Sequence, residues 1–121
     1  MSVCDSAGNA IVQNTYGLAP AVSLTAVSAT GGGTALDGLV IRTTAVMVVV
    51  SSAGVSAGSV QMQGSLDNVS WFSLGSAVST TTANTVFTPV VVTGTAFRLL
   101  RANVATAITG GTISATVGVS G

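Results

Sequence analysis

The sequence predicts an all-β fold, and three observations carry that expectation. Val and Thr recur throughout, whereas the helix formers Glu and Lys are absent and Gln is scarce. Apolar and polar residues alternate at period two in several stretches. Turn residues interrupt those stretches at short intervals: TGGGT at 30–34, LDG at 36–38, SSAGVSAG at 51–58, LDN at 66–68, TGT at 93–95 and TGGT at 109–112. Short strands spaced in this way build a sandwich or a barrel.

Taken in order, residues 1–20 show no regular period and close at Pro20. They are expected to form an extended N-terminal arm, which would fray in a monomer and lie on a neighbour in an assembly. AVSLTAV (21–27) sets Val22, Leu24 and Ala26 on one face. AVMVVV (45–50) is continuously apolar, as for a strand covered on both faces. SVQMQ (59–63) turns Val60 and Met62 inward and Gln61 and Gln63 outward, and after the LDN turn Val69, Trp71 and Leu74 lead away. STTTANT (79–85) is an exposed polar loop, and TISATVGV (112–119) sets Ile113, Ala115, Val117 and Val119 on one side. Seven strands are expected, near 21–28, 39–50, 59–65, 69–74, 86–92, 96–103 and 112–119.

A length of 121 residues suits one domain, here 21–121 behind the arm, and 48% hydrophobic residues suffice for a core. Charged residues are only 5% of the chain, against about 25% in ordinary domains. They are Asp5, Asp37, Asp67, Arg42, Arg98 and Arg101, which sum to zero. A chain this apolar is not disordered. Its longest strongly apolar run, AVMVVV, is far short of the ~20 residues of a membrane helix. MSVCDSAGNA lacks the basic start and apolar core of a signal peptide, so synthesis and folding in a cytoplasm are expected. Net charge near zero removes the repulsion that keeps copies apart, which favours association.

Several chemistries are excluded by residue type. Without histidine there is no Ser-His-Asp or Cys-His catalysis and no imidazole metal ligand. Cys4 alone builds neither a disulfide nor a thiolate site and reads as a plain thiol on the arm. Asp37 and Asp67 occur in turn contexts, where Asp is favoured for backbone reasons rather than as a catalytic pair. TGGGT lacks the lysine and helix of a phosphate loop and reads as a flexible loop. No catalytic, cofactor-binding or metal residues are therefore expected. Three arginines balanced by three aspartates form no basic stripe, so nucleic acid is not a partner. In RLLRAN, Arg98 and Arg101 point to opposite faces, one solvated and the other paired with an aspartate or a carbonyl. NVS (68–70) matches a glycosylation sequon but is expected to be unmodified.

QGSLDNVSWFSL (63–74) holds the lone tryptophan beside a carboxylate. By period it reads as a hairpin that fixes register, with Asp67 shaping the turn and Trp71 packed among strands. Trp71→Ala would then cost about 3–5 kcal/mol. The stretch GSVQMQGSLDNVSWFSLGSA, with the later AFRLLRANVATAITGGTISATVGVSG, resembles a family of tailed-bacteriophage structural proteins. These carry a strand ending in G-S-x-D, a short turn, a W-x-x-L strand, an R-x-L/V-R-A/V strand and a closing G-T-x-x-A-x-V strand. The matching positions are Gly64, Ser65, Asp67, Trp71, Leu74, Arg98, Leu100, Arg101, Gly111, Thr112, Ala115 and Val117. The resemblance covers residues 20 to 121 and leaves the arm unmatched.

The resemblance implies a virion component without enzymatic activity and a single β-sandwich, immunoglobulin-like or jelly-roll-like, of about seven antiparallel strands. The expected role is a capsid decoration, or cement, protein on the surface of a phage head. Its partner would be the major capsid protein, and it would form a homo-oligomer, a trimer by preference. The alternative within virions is a tail tube, tail-tip or fibre-anchoring protein. A carbohydrate-binding module, with Trp71 or Tyr16 as platform and Asp67 accepting sugar hydroxyls, ranks below both because aromatics are only 4% of the chain. An RNA-phage coat fails for want of basic residues.

Overall fold

The computed structural model describes residues 3–4, 10–11 and 20–120. None of the described residues is helical. β1 (Val3–Cys4) and β2 (Ala10–Ile11) pair antiparallel as a separate two-stranded ladder within the expected arm. The rest of that arm before Pro20, with Asp5 and Tyr16, lies outside the described residues, as do the side chains of Cys4 and Arg42.

Seven strands form the body: β3 (Ala21–Val27), β4 (Gly31–Gly32), β5 (Leu36–Ser51), β6 (Ala57–Ser65), β7 (Phe72–Ser79), β8 (Val90–Thr109) and β9 (Ile113–Ser120). All pairings are antiparallel, in the order β3-β9-β5-β8-β6-β7, with β4 also on β8. Two long strands distribute this ladder over two packed layers. Thr44–Ser51 of β5 pair with β9, and Thr44–Met47 pair on their other side with Val90–Thr93 of β8. Beyond Phe97, β8 pairs on one side with β6, and β6 with the edge strand β7, while Leu36–Asp37 of β5 and Gly31–Gly32 of β4 take its other side. The result is a β-sandwich with layers β3-β9-β5 (end)-β8 (start) and β4 and β5 (start)-β8 (end)-β6-β7, with β5 and β8 running through both.

The core lies between the layers and follows period two. Ala45, Met47 and Val49 face it from β5, Val60 and Met62 from β6, Leu100, Ala102 and Val104 from β8, and Ile113, Ala115 and Val117 from β9. The inward sets expected for β6 and β9 are thus observed, with Met47, Val60 and Met62 at 0% exposure.

Several expectations need correction. The TGT at 93–95 does not separate two strands. β8 runs through it, and Gly94 (φ 76) sits where the one residue of β5 between Arg42 and Thr44 opposes three of β8 between Thr93 and Phe97. LDG is likewise no turn between strands but the start of a bulge within β5, with Leu39 at φ 70. In β3 a bulge after Val22 breaks the alternation, so Ser23 and Leu24 are both buried, while Val22 and Ala26 face outward. Buried Ser23 is satisfied because its Oγ donates to Thr34 O at 2.8 Å and accepts from Ala102 N at 2.9 Å.

TGGGT is held, not loose. Gly31 and Gly32 pair with β8, Gly33 N donates to Ala102 O at 2.8 Å, and a Cβ on Gly33 would collide with the Ser23 carbonyl. Glycine is needed there for close backbone approach. In STTTANT, Thr80 is fully buried and Ser51 Oγ donates to Thr82 O at 2.6 Å, so the loop is anchored although most of its residues are exposed. AVMVVV is not covered on both faces: Val46 and Val48 are half-buried and Val50 is exposed.

Candidate functional site

The hairpin between β6 and β7 is organised by two short polar side chains. Ser65 Oγ accepts from Asp67 N at 3.2 Å and Asn68 N at 3.0 Å, and donates to Asp67 Oδ1 at 3.1 Å. The same Oδ1 accepts from Val69 N at 2.9 Å and Ser70 N at 2.8 Å. Asn68 takes φ 62, which Asn tolerates. The backbone donors of Ser70 and Val69 hold the Asp67 carboxyl below its ordinary value, so it is ionised and committed to the turn. The backbone role expected for Asp67 is therefore observed. Gly64 beside it is buried, and a Cβ there would press on the Phe97 ring and on Leu74.

Trp71 does not take the core position expected of it. β7 begins at Phe72, Trp71 precedes it and is half-buried, and Val69 is 79% exposed; of the three residues leading out of the turn only Leu74 is buried. The Trp71 ring lies under the Arg101 guanidinium, whose Cζ is 4.1 Å from the ring centroid. Arg101 Nε also donates to Gln63 Oε1 at 2.8 Å, from the position directly opposite on β6. Partial burial lowers the Arg101 pKa from its ordinary value. Gln61 donates to the carbonyls of Met62, Leu74 and Gly75 at 2.9–3.1 Å, where β7 bulges. The outward face of the β8–β6 layer is thus polar, and many of its groups are already partnered.

Arg98 makes a bidentate pair with Asp37, Nε to Oδ1 at 2.7 Å and Nη2 to Oδ2 at 3.0 Å, both groups nearly half exposed. Arg98 first and Leu39 N second keep the Asp37 carboxyl below its ordinary value, and Asp37 raises the Arg98 pKa. The expectation that one arginine pairs with an aspartate is met by Arg98, while Arg101 has an amide and a ring. Gly111, Thr112, Ala115 and Val117 close the fold at and after the last turn, where Thr112 N donates to Ser52 Oγ at 2.9 Å.

The outward face of the other layer is different in kind. Ladder positions facing out include Val22, Val46, Val48, Val50, Val86 and Val91, set among Thr44, Thr93, Ser114, Thr116 and Gly118. Val86 is 67%, Val91 60% and Val22 55% exposed. Sequence reasoning missed this face because it treated AVMVVV as buried on both sides. Alternation of valine with valine carries no sign of which side meets water.

A second apolar patch lies at the sandwich end formed by the LDN turn and the β5 bulge, with exposed Leu39, Ile41, Leu66, Val69 and Phe72. Phe72 stacks there on Phe97, with centroids 5.9 Å apart. A shallow groove of about 570 Å³ runs between β7 and residues 87–91, over Val78, Phe87 and Val90, and no ionisable residue lines it. Such surfaces offer apolar and backbone contact. Among the described residues no group of three or more His, Cys, Asp or Glu side chains is placed to hold a metal ion. No protein-family model and no curated protein matches the chain.

Proposed function

We propose that the chain is a non-enzymatic virion structural protein of a tailed bacteriophage. Its role in this reading is capsid decoration: it binds the assembled head and stabilises it through apolar and backbone contacts. The observation that carries the reading is the valine-lined outward face on a domain almost free of charge. Exposed apolar area of this extent marks contact with other proteins. The partner is then the major capsid protein, and the chain is a homo-oligomer, with a trimer favoured, on the capsid surface after synthesis in the bacterial cytoplasm. Neither nucleic acid nor a membrane is its partner. Residues 1–20 extend the contact as an arm. A ligand that binds the assembled state and not the free subunits stabilises assembly by mass action, by about 2.7 kcal/mol per site at a hundredfold excess over Kd.

The test is binding to empty shells of the phage that encodes the chain, against dissociated capsid subunits, on native particle gels. The reading expects binding to shells alone, and binding weakened by deletion of residues 1–18. Binding to neither, or density on the tail in a virion reconstruction, contradicts it. Density in stacked tail rings would move the protein to the tail.

A second reading, glycan binding, is favoured by one observation: Trp71 lies outside the core and is partly exposed. Its ring is already covered on one side by Arg101. Glycan titration followed by tryptophan fluorescence decides this, since a saturable shift supports a sugar site and none dismisses it.

A further inference from the structure

We propose that the valine face of the β3-β9-β5-β8 layer is the surface on which a second copy of this chain docks. The inference stands on the geometry of that layer and does not depend on the virion reading.

The ladder register defines the face row by row. Val22, Thr116 and Val48 form one row, Gly118, Val46 and Val91 the next, and Ser114, Val50 and Val86 a third. Thr44, flanked by Ser120 and Thr93, closes one end. No residue in these rows is ionisable. An antiparallel layer with one side in water normally places polar residues there. Valines at those positions leave area exposed that would gain about 25 cal/mol per Å² on burial. Flat, twisted faces of this kind pack on one another at about 10 Å, as the two layers inside the sandwich do.

Charge selects the occupant. A charged partner seated here would lose hydration and find no counter-charge in these rows. A second copy brings an uncharged surface of the same composition, and the chain's zero net charge sets no repulsion against the approach.

Area limits the strength of the contact. Four strands about 4.8 Å apart and about seven residues long make a face of about 19 by 23 Å, or about 440 Å². A stable interface needs about 800 Å² per partner, so the face supplies roughly half. Residues 1–19 join the domain at Pro20, whose ring lies 3.8 Å from where a Cβ on Gly118 would stand, at the margin of this face. Because Val3–Cys4 pair with Ala10–Ile11, only the stretch from Ile11 to Pro20 can span outward, by at most about 30 Å, which still carries the β1–β2 ladder over a neighbouring copy.

The test is sedimentation velocity on the full chain from about 1 to 100 μM, which brackets micromolar association. Wild type is expected to associate with rising concentration. Val48→Arg, in the middle of the face, and Val91→Arg, at its β8 edge, are expected to weaken association at least tenfold, with circular dichroism unchanged. Val91→Thr, which keeps shape and removes apolar area, is expected to weaken it measurably and guards against misfolding of the arginine variants. A wild type that stays monomeric throughout, or folded variants that associate as wild type does, would overturn the proposal.

Discussion

On the outward side of β6 and β8 the side chains are Gln61, Gln63 and Arg101, with Trp71 alongside. Gln61 is held by three carbonyls, and Arg101 by Gln63 and the Trp71 ring. On the outward side of β5, valines face solvent at 46, 48 and 50, joined by Val22, Val86 and Val91 from neighbouring segments. The first face satisfies its own polar groups and gains little from a partner. The second carries valines and small hydroxyls with no charge, and gains from any matched apolar cover. The same backbone therefore carries one face finished by folding and one that association would finish.

Changes beneath both faces should have the largest effect. Met62 is fully buried between the layers, and Met62→Ala is expected to cost about 2–5 kcal/mol. Denaturant unfolding should show one transition at lower midpoint. Separate transitions for the two layers would mean that they are not one cooperative unit, and the comparison would need recasting as two bodies.

On the polar face, Trp71→Ala is expected to cost only about 1–2 kcal/mol, from a half-buried ring and its Arg101 contact. Arg101→Ala should cost about 1 kcal/mol and shift Trp71 emission to the red as the ring loses its cover. A loss of 3–5 kcal/mol for Trp71→Ala would restore the tryptophan to the core and erase the distinction between the faces.

The pH dependence sharpens the same contrast, because Asp37 and Asp67 lie away from the valine face. Both carboxyls are held below their ordinary value in the folded chain. Their contribution is fully present above the unfolded value, near pH 4. It falls as pH drops through the folded values, because the unfolded chain takes up protons first. With no His, Glu or Lys in the chain, thermal stability should be flat from about pH 5 to 7.5 and fall only below about pH 4. Asp67→Asn should reduce that acid loss. A slope near neutral pH would contradict the assignment.

On the valine face the smallest effect on stability is expected. Val91→Thr should change unfolding free energy by no more than about 0.5 kcal/mol, as at other exposed positions, when read at a concentration where the chain is monomeric. A larger loss would mean that Val91 packs within its own chain.

Much of the fold was legible in residue patterns. The alternation in SVQMQ and TISATVGV gives the correct inward sets because one side of each strand is polar or small. The Ser65–Asp67 turn is local, so its chemistry is visible in GSLDN. Bulges escaped notice because they depend on what a partner strand does: Val22 and Leu24 part company, and Gly94 carries β8 through an apparent turn. Trp71 escaped for a related reason. Whether an aromatic beside a turn points into the sandwich depends on where β7 begins, and that is fixed by pairing of Gly64 with Phe72 across the hairpin. TGGGT looked mobile because glycine serves both flexibility and close approach, and only the Ser23 carbonyl distinguishes them.

The most direct measurement of the difference between the faces places a single reporter on each in turn. Trp71 reports on the polar face of the wild-type chain, and Val86→Trp in a Trp71→Phe background reports on the valine face. Acrylamide quenching of each is followed from dilute to concentrated protein. Quenching at position 86 should fall as the chain associates, while quenching of Trp71 stays unchanged. Protection of Trp71 with position 86 left open would contradict the account.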